Sequence, residues 1–158
     1  MIYARIILLI GVFALSACVP KNYSKENSAF ILLKTPSFKY ADMGFIYQNA
    51  KEMKVEIYSN GQALMQLEIL EERICLSDFK CMSKEQFNQT LLSSSYPSTL
   101  FENIFRGKAI FAGKNKKAIA KGFSQNIVSN SYTIEYSVRQ DMISFEDRFN
   151  KIKIKIKK

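Results

Sequence analysis

The sequence predicts a mainly β domain with some α: one antiparallel, strongly curved sheet with two short helices laid against its apolar face. Three observations predict it. Short runs in which apolar and polar residues alternate stand on both sides of a central helical stretch. Hairpin-type turn signals separate those runs. The order is strands, a helical pair, then strands again, without the strand–helix–strand rhythm that a parallel sheet requires.

Strand signals begin at Ala29 to Lys34 and recur at Gly44 to Gln48 and Lys54 to Tyr58. Ser59-Asn60-Gly61 reads as a hairpin turn, because Asn and Gly tolerate positive φ. Beyond it, Gln62 to Leu70 places Met65, Leu67 and Ile69 on one face and Gln66 and Glu68 on the other, and Arg73 to Leu76 continues the meander. At Ser83-Lys84-Glu85-Gln86 the pattern becomes helical: Ser83 can cap, Gln86 can reach back, and Phe87, Leu91 and Leu92 follow at helical spacing. After Tyr96-Pro97, Ser98 is expected to cap a second helix whose Leu100, Phe101, Ile104 and Phe105 form an apolar stripe ending at Gly107. Strands are then expected at Lys108 to Ala112, Ala118 to Val128, Ser131 to Arg139, Met142 to Glu146 and Lys151 to Lys157, with Asn130 in a turn. In the last of these the lysines share one face and Ile152, Ile154 and Ile156 the other, so the basic carboxyl terminus reads as a half-buried strand whose lysines discourage edge pairing.

The amino terminus has a different character. Arg5 is its only charge, and an uncharged, mostly apolar run from Ile6 to Val19 stops at Pro20-Lys21. This is the layout of an export signal, and the run is shorter than the roughly 20 apolar residues that cross a bilayer. It ends in Leu15-Ser16-Ala17-Cys18, which resembles the lipobox of bacterial lipoproteins. That resemblance implies a signal peptide over residues 1–17 and a lipidated Cys18 as the first mature residue. Val19 is not the Asp that marks inner-membrane retention in enterobacteria, so the same resemblance implies the outer membrane; the periplasmic face is expected there, the cell surface being the alternative. Residues 18–28 are expected to form an acylated flexible tether and residues 29–158 a single domain, expected to be a monomer.

The formal net charge is +9, and all but one unit of it lies beyond the signal. For a tethered, exported protein, anionic head groups are the nearer counter-charge and nucleic acid is not expected. Cys75 and Cys81, six positions apart across a turn region, fit a disulfide in an oxidising compartment, two unpaired thiols being the alternative. No metal site or cofactor is expected, since the chain has no His and too few further ligands. Catalysis is not expected either: the usual general base is absent, and Gly107, Gly113 and Gly122 are too far apart for a phosphate loop. Asp141, Glu146 and Asp147 flank a turn and a strand and read as a solvated face.

The order of elements is similar to that of the LolA/LolB family. The likeness is carried by Val55-Glu56-Ile57-Tyr58-Ser59-Asn60-Gly61 running into Gln66-Leu67-Glu68-Ile69; by Leu91-Leu92 followed by Tyr96-Pro97-Ser98-Thr99-Leu100 and Ile104-Phe105-Arg106-Gly107; and by Tyr132-Thr133-Ile134-Glu135-Tyr136 with Ile152 to Lys157. It implies an incomplete antiparallel barrel covered by helices around an apolar cavity for acyl chains, and a membrane-anchored protein that helps localise lipoproteins to the outer membrane. Partners so implied are the membrane, acyl chains of lipoproteins or lipids, and a periplasmic LolA-like carrier. One departure stands out. LolB-type receptors carry a longer hairpin with a projecting apolar residue where Ser59-Asn60-Gly61 is short and polar, and here Leu64 and Met65 already lie in the strand.

Periodicity alone assigns Ile57, Met65, Leu67, Tyr132, Ile134 and Tyr136 to a sheet face opposite helix residues Phe87, Leu91, Leu100, Phe101, Ile104 and Phe105. If sheet and helices close tightly these side chains are a core; if they stand apart they line an acyl cavity in which apolar burial supplies affinity. The same division separates two functions, a carrier of lipidated cargo and a structural or assembly lipoprotein, such as a machine accessory or adhesin, with a filled core.

Overall fold

The structure, a computed structural model, describes residues 21–77 and 80–158. The signal segment and Cys18 lie outside the described residues. Six strands, β1 (Lys25–Lys34), β2 (Lys39–Gln48), β3 (Met53–Ser59), β4 (Gln62–Ile69), β5 (Arg73–Leu76) and β6 (Lys80–Ser83), precede helices α1 (Lys84–Leu91) and α2 (Leu100–Arg106). Five more follow: β7 (Lys116–Ile119), β8 (Gly122–Ser129), β9 (Tyr132–Arg139), β10 (Met142–Asp147) and β11 (Ile152–Lys157). All eleven form one antiparallel sheet in the order β6-β5-β4-β3-β2-β1-β11-β10-β9-β8-β7. The sheet is not closed, and this is the curved incomplete barrel with short helices that the sequence predicts.

Its centre is the pairing of the first and last strands, Ile31 opposite Ile156 and Leu33 opposite Ile154, which brings the two halves of the chain into one sheet. Side-chain alternation then assigns the faces. Ile31, Leu33, Ile46, Val55, Ile57, Leu67, Ile134, Phe145 and Ile154 are all buried on the concave side. Gly44 marks a crowded point of the curve. A Cβ there would lie 2.2 Å from the Glu56 carbonyl oxygen and 3.0 Å from Ile31 Cδ1, so only glycine lets β2 approach β3 so closely.

Several local expectations are met. Asn60 (φ 51°) and Gly61 (φ 76°) make the two-residue β3–β4 turn. Ser83 Oγ accepts from Gln86 N at 3.1 Å while Gln86 Oε1 accepts from Ser83 N at 3.1 Å, a complete capping box for α1. Gly107, at φ 65°, ends α2 in the left-handed conformation.

Others need correction. Residues 25–28, expected in the tether, are the first four of β1 and pair with β2 from Lys25 opposite Gln48 to Ser28 opposite Phe45. Backbone ladder bonds form there irrespective of side-chain polarity, and polar composition hides them. The N-cap of α2 is Thr99, without a side-chain cap bond, and not Ser98. Residues 108–112 are not a strand: Gln125 takes up the backbone groups of Ile110, and a 3-10 turn spans Phe111–Gly113. The run 118–128 is divided, since Lys121 at φ 58° turns β7 into β8.

Candidate functional site

Of the twelve side chains expected to face one another, ten are buried in a single cluster: Ile57, Met65, Leu67, Phe87, Leu100, Phe101, Ile104, Phe105, Ile134 and Tyr136. Leu91 and Tyr132 are partly buried and pack against it. The helices contribute because they lie across the concave face. The ring of Phe101 stands 4.9 Å from those of both Phe87 and Phe105, so the three aromatics form one row under the helical pair.

The space between helices and sheet is filled in this conformation. Ile57, Phe101 and Ile104 expose no surface, to solvent or to an internal void. Surface hollows exist elsewhere, for example one of about 330 Å³ at Ala120, Lys121, Arg139, Gln140 and Asp141, which is not lined by this apolar set.

The chain that carries the helices, residues 84–115, runs from one free edge of the sheet (β6) to the other (β7) and takes no part in any strand pairing. Its attachment is apolar contact plus a few polar bonds. Tyr96 donates its hydroxyl proton to Asp147 Oδ2. Arg106 Nη1 donates to the Asn49 carbonyl oxygen at 2.9 Å. Tyr136 Oη donates to the Lys108 carbonyl at 2.9 Å, and Gln125 Nε2 donates to the carbonyls of Ile110 (2.9 Å) and Lys114 (2.7 Å). Within the pair, Asn88 Nδ2 donates to the Pro97 carbonyl at 3.0 Å, and Glu102 accepts from Lys84 Nζ at 2.8 Å and Arg106 Nε at 2.7 Å.

These contacts shift the titrating groups. Burial alone would raise the Asp147 carboxyl, but hydrogen bonds from Tyr96, Asn150 and the Thr133 amide outweigh it and hold the group below the usual carboxylate range. Burial, with Asp147 adding to it, pushes Tyr96 far above an ordinary phenol, so Tyr96 is the donor and Asp147 the ionised acceptor. Glu102 repeats the balance: burial raises it, and Lys84 and Arg106 together lower it below the ordinary value.

Asp147, expected on a solvated face, is instead fully buried, and Gln125 escaped the sequence reading, though a signal for both was present. Each continues an apolar face, Ile143-x-Phe145-x-Asp147 and Phe123-x-Gln125-x-Ile127. A polar residue at an inward position must find partners when buried, and both do so at the attachment of the helical segment.

Cys75 and Cys81 face each other across the β5–β6 pair and are joined by a disulfide. Among the described residues no helix is long and apolar enough to cross a membrane. No protein-family model matches this chain, and no curated protein matches it.

Proposed function

We propose that the protein is a lipoprotein, anchored by an acylated Cys18 at the periplasmic face of the outer membrane, that binds acyl chains of lipidated cargo between its helical segment and the open sheet and helps localise lipoproteins there. One observation carries this reading. The concave apolar face is covered by a segment that shares no ladder with the sheet, so it can move aside without breaking a strand pair. Opening costs apolar contacts and the bonds of Tyr96, Arg106, Tyr136 and Gln125, and an acyl chain entering the gap restores apolar contact at roughly 0.8 kcal/mol per buried methylene. Such binding is indifferent to cargo sequence, and handing on to a carrier or a membrane needs an affinity gradient and no chemistry. The likeness to the LolA/LolB family in element order supports the same reading, and the short polar Asn60-Gly61 turn separates it from delivery by a projecting hairpin.

The filled interior favours a second reading, a structural or assembly lipoprotein whose interaction is at its surface. A photo-crosslinking group in place of Phe101 in the acylated protein distinguishes them. Capture of an acylated lipoprotein presented by a periplasmic carrier is the expected result. If native mass spectrometry of the membrane-extracted protein shows no co-purifying lipid and the probe captures nothing, the first reading is wrong. A stoichiometric membrane complex recovered by surface crosslinking would then support the second.

A further inference from the structure

The convex face of β11, β1 and β2 departs from a solvated exterior. Phe30 on β1 lies between Lys157 on β11 and Met43 on β2, all three on the outer face. Phe30 is 40%, Met43 52% and Phe45 37% exposed, neighbours in space where isolated apolar residues are the norm. Phe45 continues into an aromatic row, 6.2 Å from the ring of Tyr47 and 5.7 Å from that of Tyr58, and Tyr47 in turn meets Tyr23 at 5.8 Å. Lysines border the row. Lys155 and Lys157 form no ion pair among the described residues, whereas three carboxylates of this face are each engaged, Glu56 by Lys54, Glu68 by Lys21 and Glu146 by Lys153. Glu26, near the start of β1, stands at the margin.

The path of the amino terminus adds an independent observation. Lys21 Nζ lies 2.6 Å from Glu68 Oε2, and Glu68 points outward because Leu67 and Ile69 are buried. The chain therefore reaches this same convex face, and Cys18 is three residues further on, at most roughly 10 Å of extended chain.

We propose that this face docks flat on an anionic phospholipid surface, with Phe30, Met43 and Phe45 entering the interfacial layer and Lys155 and Lys157 resting on lipid phosphates. Apolar and aromatic side chains beside cations are what an interfacial site requires. Docking this way turns the concave face and its helices away from the anchoring bilayer, toward arriving cargo. The inference rests on the proposed Cys18 anchor and is independent of what the interior holds.

The chain has no tryptophan, so Phe30→Trp is a single reporter in the full acylated protein and Val128→Trp, on β8 five strands from β2, is its control. Both are placed in phosphatidylcholine vesicles with brominated acyl chains, with and without phosphatidylglycerol. With the anionic lipid, the Phe30→Trp emission is expected to fall by roughly half while that of Val128→Trp barely changes. The added double substitution Lys155→Glu/Lys157→Glu should remove the difference. Equal quenching of both reporters, no quenching of either, or indifference to phosphatidylglycerol and to the lysines overturns the proposal, as does shielding of Phe30→Trp only when envelope proteins are added. An intact mass without acyl chains would overturn the anchor alone, and the same quenching is then read on vesicles added to the protein. Failure to accept cargo with Phe30→Trp still quenched would count against the cargo reading alone.

Discussion

The hydroxyl of Tyr96, in the connection between the two helices, donates to the carboxylate of Asp147 at the end of β10, joining residues 51 apart in the chain. The same carboxylate accepts from the Thr133 and Phe149 amides, both at 2.9 Å, and from Asn150 Nδ2 at 2.7 Å. One buried group thus closes the β10–β11 turn, ties it to β9 and fastens the helical segment to the sheet. Tyr96→Phe removes only the last of these functions and leaves a buried carboxylate short of one donor. A loss of about 1–3 kcal/mol is expected in urea unfolding, with faster hydrogen exchange across residues 84–106 than across β9 and β10. Uniform exchange over the whole molecule would show that the bond does not fasten the helices selectively.

Acid should weaken the protein through the same site. Asp147 is held below its usual range in the folded state, so it gives up its charge at a lower pH than the unfolded chain does at about 3.9. Its contribution is complete above the unfolded value and is lost as pH falls through the folded one. Glu102 has the same sign. Urea midpoints should therefore be level near neutrality and fall below about pH 4. The fall should be shallower in Tyr96→Phe, because the Tyr96 bond is the chief influence lowering Asp147. An unchanged acid limb in that variant would remove Asp147 as its source.

Glu102 stands between two cations whose side chains are 8% exposed, while its own is 20% exposed. Glu102→Gln leaves Lys84 and Arg106 facing a neutral amide, and the buried Arg106 Nη2 already has no partner among the described residues. A cost of about 3 kcal/mol follows, the low end for breaking a buried pair because Glu102 is partly solvated. Lys84→Met keeps the Glu102–Arg106 bond, buries an apolar chain instead, and should cost about 1 kcal/mol. Equal costs in paired denaturation curves would mean that charge pairing is not what holds this corner.

Strand and helix identities could be read wherever side-chain alternation and caps carried them. Ile152, Ile154 and Ile156 lie inward, Ser83 and Gln86 form their box, and Gly107 ends its helix. What escaped depends on partners distant in sequence. Lys25 to Ser28 look like linker and become strand only because β2 offers an edge; Lys108 to Ala112 look like strand and are held out of the sheet by Gln125. The inward set at the candidate site was identified, since burial follows period. Whether the sheet and helices meet or stand apart is a matter of distance, which periodicity does not encode.

Phe101 tests what that distance can become. Its ring is fully buried between Phe87 and Phe105, so Phe101→Ala should cost about 3–5 kcal/mol if its surroundings stay in place. Against the 5–15 kcal/mol typical of a domain, the variant should still fold. The void it leaves is apolar, and a dry apolar void binds apolar ligands. A short-chain fatty acid or apolar dye should therefore raise the melting temperature of Phe101→Ala, by the linkage of binding to the folded state. If the helical segment opens as proposed, the same ligand also stabilises the unaltered protein, more weakly because Phe101 competes for the space. Stabilisation of the variant alone would mean that the cavity exists only where a side chain has been cut away, and that the native interior is a core.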